Sequence, residues 1–100
     1  MKSKPVEYLP AALLDLDESA AWYEEKEPGV GEQFHAAVRL TLQKIRRHPQ
    51  LGTPRRRNSR KWRVAGFPYS VVYREELKSI VVVAIAHAKR REDYWVARLN

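Results

Sequence analysis

The 100-residue chain contains no cysteine, so it forms no disulfide and offers no thiolate nucleophile. That usage fits a reducing compartment, and a cytoplasmic protein is expected. Its four glycines are scattered, and no phosphate-cradling glycine loop is present. His35, His48 and His87 stand far apart without paired spacing, so neither a metal nor another cofactor is expected. The most apolar of the long uncharged runs, SIVVVAIAHA (79–88), is far short of a membrane span. The opening MKSKPVEYLP has no apolar stretch behind it that would make a signal peptide. Glu75–Glu76 and Glu92–Asp93 are adjacent pairs, which diverge in a strand and face water in a turn. That argues against a carboxylate-driven hydrolase. No serine sits in a nucleophile elbow. Acid is missing altogether from residues 35–63.

What is present is a core of modest size and a lopsided charge. A hydrophobic content of 44% with ten aromatics excludes disorder and suits one domain over residues 1–100. Residues 1–34 carry eight acids against three lysines. Residues 35–63 carry ten cations, and the total is +7. A field so divided attracts a polyanion, either nucleic acid or an acidic protein, to the middle of the chain.

Hydropathy periods set the expected architecture. PVEYL (5–9) reads as a short edge strand. Leu9, Leu13, Leu16, Ala20 and Tyr23 recur at helical spacing, predicting a helix over 10–26 that Pro28–Gly29 ends. Val30, Phe34, Ala37, Thr41 and Ile45 predict a second helix over 30–47, stopped by Pro49 and antiparallel to the first. PQLGTPRRRNS (49–59) has two prolines, one glycine and no period, and reads as a loop. The period then becomes two. KWRVA sets Trp62 and Val64 against Lys61 and Arg63. YSVVYRE (69–75) alternates, and SIVVVAIA (79–86) is apolar on both faces, as a central strand must be. The expected fold class is α+β, in the order β-α-α-β-β-β. An antiparallel helical hairpin packs on a mainly antiparallel sheet of about four strands. The helices can cover one sheet face, leaving the other free to form a groove.

The residues suited to chemistry are cations, a histidine and aromatics. Arg55, Arg56, Arg57, Arg60 and Lys61 would hold phosphates by charge-assisted bonds. Arg63, fixed on a strand, could stabilise a phosphate oxygen as charge builds. Arg90 and Arg91 follow the central strand. His87 has the one intrinsic pKa suited to proton transfer near neutrality, and Tyr94 could stack a base or supply a hydroxyl. Trp95 is expected to fold back over the core; Trp22, Trp62, Phe34, Tyr23 and Phe67 read as core or interface.

Four segments together, IRRHPQLG, WRVAGFPYSVVYR, IAHAKRR and DYWVAR, with LPAALLDLDESAAWYEEKEPGVGEQF before them, resemble the RelE/ParE toxin superfamily of bacterial toxin–antitoxin modules. The resemblance covers essentially the whole chain in order. It implies a helical hairpin on a small antiparallel sheet, and a small acidic antitoxin as partner. It also implies one of two targets. RelE-like members cut mRNA on the ribosome without a metal, by attack of the nucleotide's own 2′-hydroxyl. ParE-like members inhibit DNA gyrase. Carried over by residue, the strand arginine is Arg63. The arginine past the last strand is Arg90, or Arg91 by a shift of one, and the tail tyrosine is Tyr94. Where nuclease members have loop lysines this chain has arginines and then Lys61. Arginine is a poor base, so His87 or Tyr94 would move the protons. On the double arginine and the tyrosine, a ribosome-dependent mRNA endonuclease is the expectation. A ParE-like gyrase inhibitor is the alternative, and a non-toxic basic nucleic-acid-binding module a third.

Overall fold

Residues 3–99 are described by a computed structural model. Strand β1 (Val6–Tyr8) leads into helix α1 (Pro10–Lys26) and helix α2 (Val30–Arg47), then into strands β2 (Thr53–Pro54), β3 (Arg60–Arg63), β4 (Tyr69–Glu75) and β5 (Ile80–His87). A 3-10 segment, Tyr94–Arg98, closes the chain. The sheet runs β1-β5-β4-β3-β2; β1 lies parallel to β5 and the other pairs are antiparallel. The α+β class and the element order are as expected. The fifth strand is Thr53–Pro54, two residues inside the segment expected to be loop. No hydropathy period can show in so short a strand.

Pro10 sits at the start of α1, where its missing N–H costs nothing. The helix buries Ala12, Leu16 and Ala20, and Tyr23 packs beside them. Leu13, expected in this stripe, is 46% exposed. One step of 100° carries it off the seam that the small alanines define. Gly29, at φ 93°, makes the left-handed turn between the helices. The Glu24 carboxylate accepts the N–H groups of Gly29 and Gly31, each at 3.0 Å, satisfying free donors where α2 begins. Helix α2 then buries Phe34, Val38, Thr41, Leu42 and Ile45 against the sheet, and the Thr41 hydroxyl donates back to the Ala37 carbonyl.

Strand β5 is an interior strand, between β1 and β4, and is buried on both faces. Val72 pairs with Ala84 but Tyr73 with Val82, so Val83 is an extra residue in the ladder. The bulge turns Val83 and Ala84 together to the outer face, while Val82 and Ile85 stay in the core under the helices. Trp95 and Leu99 pack on the outer cluster of Val72, Val83, Ala84 and Ala86. The face expected to lie open is therefore partly roofed by the chain's own tail.

The loop after α2 hangs on Tyr73, which is fully buried. Its hydroxyl donates to the Pro49 carbonyl (2.8 Å) and accepts the Gly52 N–H (3.1 Å). A Cβ at Gly52 would collide with that hydroxyl, which accounts for the glycine in HPQLG. Tyr73→Phe should leave both backbone groups without their partner and cost about 1–3 kcal/mol, measured as a lower urea midpoint at unchanged slope.

Candidate functional site: a cationic face and an α1 cleft

Sheet register decides which side chains meet. Arg63 stands opposite Ser70, and Ser70 opposite Ala86. Ala86 belongs to the outer cluster, so Arg63 projects on the outer face. His87, one residue on, pairs with Tyr69 and turns to the helix side, its ring 4.9 Å from the Tyr69 ring. Arg63 and His87 thus lie on opposite faces of the sheet.

The outer face holds the basic surface, and its centre is Glu92. This carboxylate lies 3.4 Å from Arg55 Nε and 3.3 Å from Lys61 Nζ. It therefore ties the 49–59 segment, β3 and the tail together. Lys61 Nζ also stands 5.4 Å from the centre of the Trp95 ring. Arg63 follows Lys61 by two positions on the same face of β3, and Arg91 adjoins Glu92. Arg56 and Arg57 form the exposed tip beside Arg55, with Arg57 at φ 61°. Arg56, Arg57, Arg63 and Arg91 are exposed and form no ion pair among the described residues. Arg60 is occupied: its guanidinium donates to the Gln50 (3.0 Å) and Gly52 (2.9 Å) carbonyls and braces the loop.

His87, Arg90 and Tyr94 meet elsewhere, in a cleft against α1 that Asp15, Glu18 and Ser19 also line. The His87 Nδ1 accepts the Lys89 N–H at 2.9 Å, which leaves Nε2 to carry the proton of the neutral ring. The Arg90 guanidinium lies 3.8 Å from the Tyr94 ring centre, and Arg98 approaches the same ring at 5.4 Å. Burial pushes the Tyr94 hydroxyl above the usual 10.0, with Asp15 adding to the rise and Arg98 and Arg90 opposing it. The phenol therefore keeps its proton at neutral pH.

Beneath the cleft lies a pair that sequence reading missed. Asp15 accepts two bonds from Arg98, at 2.7 and 3.1 Å, and one from the Ile85 N–H at 3.1 Å. Arg98 also donates to the Val83 carbonyl at 3.0 Å. The bond to Asp15 holds the Arg98 guanidinium above its ordinary value. The one visible signal was Arg98 in YW..R; its partner, 83 residues away, carried none.

Burial also raises Tyr8 and Tyr73 above 10.0. With Tyr94, these groups hold their protons more tightly folded than unfolded. Their stabilisation is complete below the unfolded tyrosine value and is lost as pH rises through the higher folded values. Urea midpoints should therefore hold steady to about pH 9 and fall beyond about pH 10.

No helix among the described residues is long and apolar enough to cross a membrane. The family model for the ParE toxin of the type II toxin–antitoxin system parDE matches residues 6–92. A solved structure titled "Chromosomal ParDE TA system from P. aeruginosa" is similar at TM-score 0.63 and 18% identity, covering 85% of this chain and 96% of that one. No curated protein matches the chain. The family match overturns the expectation of a ribosome-dependent mRNA endonuclease, because it falls on the gyrase-inhibiting branch of the superfamily. The chain is accordingly not read as an mRNA interferase, an endonuclease of messenger RNA. Arg63 stands across the sheet from His87, so the two do not line one groove.

Proposed function

Because the chain belongs to the ParE toxin family of type II toxin–antitoxin systems, with a cognate antitoxin as partner, we propose that it inhibits DNA gyrase by binding and performs no covalent chemistry on nucleic acid. The match over residues 6–92 carries this reading. Two details support it: burial keeps the proton on Tyr94, so the phenol is a poor base, and the His87 Nδ1 is taken up by the Lys89 N–H. Induced expression should relax plasmid supercoiling and halt growth while messenger RNA stays intact. Ribosome-dependent cuts with unchanged supercoiling would overturn the reading, and growth without arrest would favour a non-toxic basic module.

The antitoxin is proposed to be acidic and to cover the outer face. Arg63 on that face, and Arg56, Arg57 and Arg91 nearby in the chain segments that Glu92 ties together, are exposed and form no ion pair among the described residues. Arg55 and Lys61 already hold one carboxylate, Glu92, which shows the kind of group the surface accepts. Removing Arg56, Arg57 and Arg63 together should slow association with the antitoxin by about tenfold at low salt and flatten its salt dependence. Stopped-flow mixing measures this; a rate unchanged by both salt and substitution would place the antitoxin elsewhere.

A further inference from the structure

The acidic surface of α1 borders a further cleft, next to the one that holds Arg90 and Tyr94. Helix α1 presents Asp17, Glu18 and Glu25 to solvent, while Asp15 and Glu24 are engaged by Arg98 and by the Gly29 and Gly31 N–H groups. Set into this acidic face is Trp22, a large aromatic left 55% exposed. Trp22 forms one wall of a cleft of about 500 Å³, whose other walls include Glu18, Tyr23, Tyr69 and His87. The rings meet edge to face in series: Trp22 on Tyr23 at 5.2 Å, Tyr23 on Tyr69 at 6.2 Å, Tyr69 on His87 at 4.9 Å. Glu18 forms no ion pair among the described residues. Trp22 already attracts a cation of its own, since Lys26 Nζ lies 5.3 Å from its ring centre.

Aromatic rings and a carboxylate around one space select a cation. The electron-rich ring faces attract positive charge, and the carboxylate supplies the counter-ion. An anionic group would be repelled by Glu18, and a purely apolar one would strip water from that carboxylate without replacing it. Between the two protein cations, guanidinium fits better. It is planar, stacks on rings, gives up its hydration readily and can bond both oxygens of one carboxylate. Arg90, where this space continues toward the tail, is stacked on Tyr94.

We propose that this cleft receives an arginine side chain from a basic surface of a protein partner. The acidity of α1 makes it a poor seat for the acidic segment of an antitoxin, so the site belongs to a different contact from the one on the outer face. The inference stands whether or not gyrase is the target, because it rests on the cleft alone.

The probe is N-acetylarginine amide, titrated into the full chain with the Trp22 indole and His87 ring signals followed by NMR. Saturable shifts at both residues are expected, with the isosteric but uncharged citrulline analogue moving neither. Glu18→Gln should weaken the arginine probe by about tenfold, and Trp22→Ala, at an exposed position that leaves the core intact, should weaken it by about three- to tenfold. Equal shifts from citrulline, or an affinity untouched by both substitutions in folded protein, would overturn the proposal.

Discussion

Trp95→Ala should be among the most damaging single substitutions, costing about 3–5 kcal/mol. The indole is 1% exposed and is the largest fully buried side chain. It sits on the outer cluster formed by Val72, Val83, Ala84 and Ala86. Removing it leaves a cavity and unroofs that strand surface at once. In a domain of this size the melting temperature should fall by roughly 15–30 °C. Trp95→Phe should be far milder. The indole Nε1 has no hydrogen-bond partner among the described residues, so phenylalanine forfeits area but no bond and also removes a buried orphan donor. A dye that reports exposed apolar surface should brighten with the alanine variant and stay dark with the phenylalanine one. Equal stability of the two variants would mean that the tail does not hold the outer face.

Asp15→Ala should come next, at about 2–3 kcal/mol. The carboxylate and its guanidinium partner are largely shielded, with 17% and 22% of their side chains exposed. Alanine strands the Arg98 charge and frees the Ile85 N–H in one step. Asp15→Asn should lose less, because the amide oxygen can still accept from Ile85. Arg98→Lys should recover little, since an ammonium cannot make the two-pronged bond. The double variant Asp15→Ala/Arg98→Ala should cost less than the sum of the singles, and full additivity would show that the two side chains act independently. Thermal melts across the four proteins measure the coupling.

The parts of this fold visible in sequence were those written in local periods. Helices α1 and α2 follow from 3.6-residue spacing and from the proline–glycine breaks. Strands β4 and β5 follow from alternation and from an apolar run too β-branched for a helix. The expected burial of Trp95 also holds, since an aromatic in a short tail has one place to go on so small a core. What escaped was register. Whether Arg63 and His87 share a face depends on how β3, β4 and β5 align, and nothing in either segment encodes that alignment. The bulge at Val83 is a mismatch between two strands and has no signature in one of them. For Trp22 the residue type left core and interface open, and its position on α1, more than half exposed, excludes the first. The branch of the superfamily was illegible for a related reason. A guanidinium at Arg63 or Arg90 looks the same whether it faces a phosphate or a partner's carboxylate. The motifs that carried the resemblance describe a scaffold common to both targets.

The Asp15–Arg98 pair has one more consequence. Strand β1 ends at Tyr8, opposite Val82, so beyond that point β5 would present bare backbone along its flank. Asp15 takes the Ile85 N–H and Arg98 the Val83 carbonyl. Two side chains thus do there what another strand would do, and they seal the most apolar segment of the protein against fibrillar growth. The remaining rims of the sheet are three residues long at β1, and two at β2, one of them a proline. A chain clipped just before Arg98 would keep nearly all of its core and lose that seal, and self-stacking along β5 is the failure to look for in it.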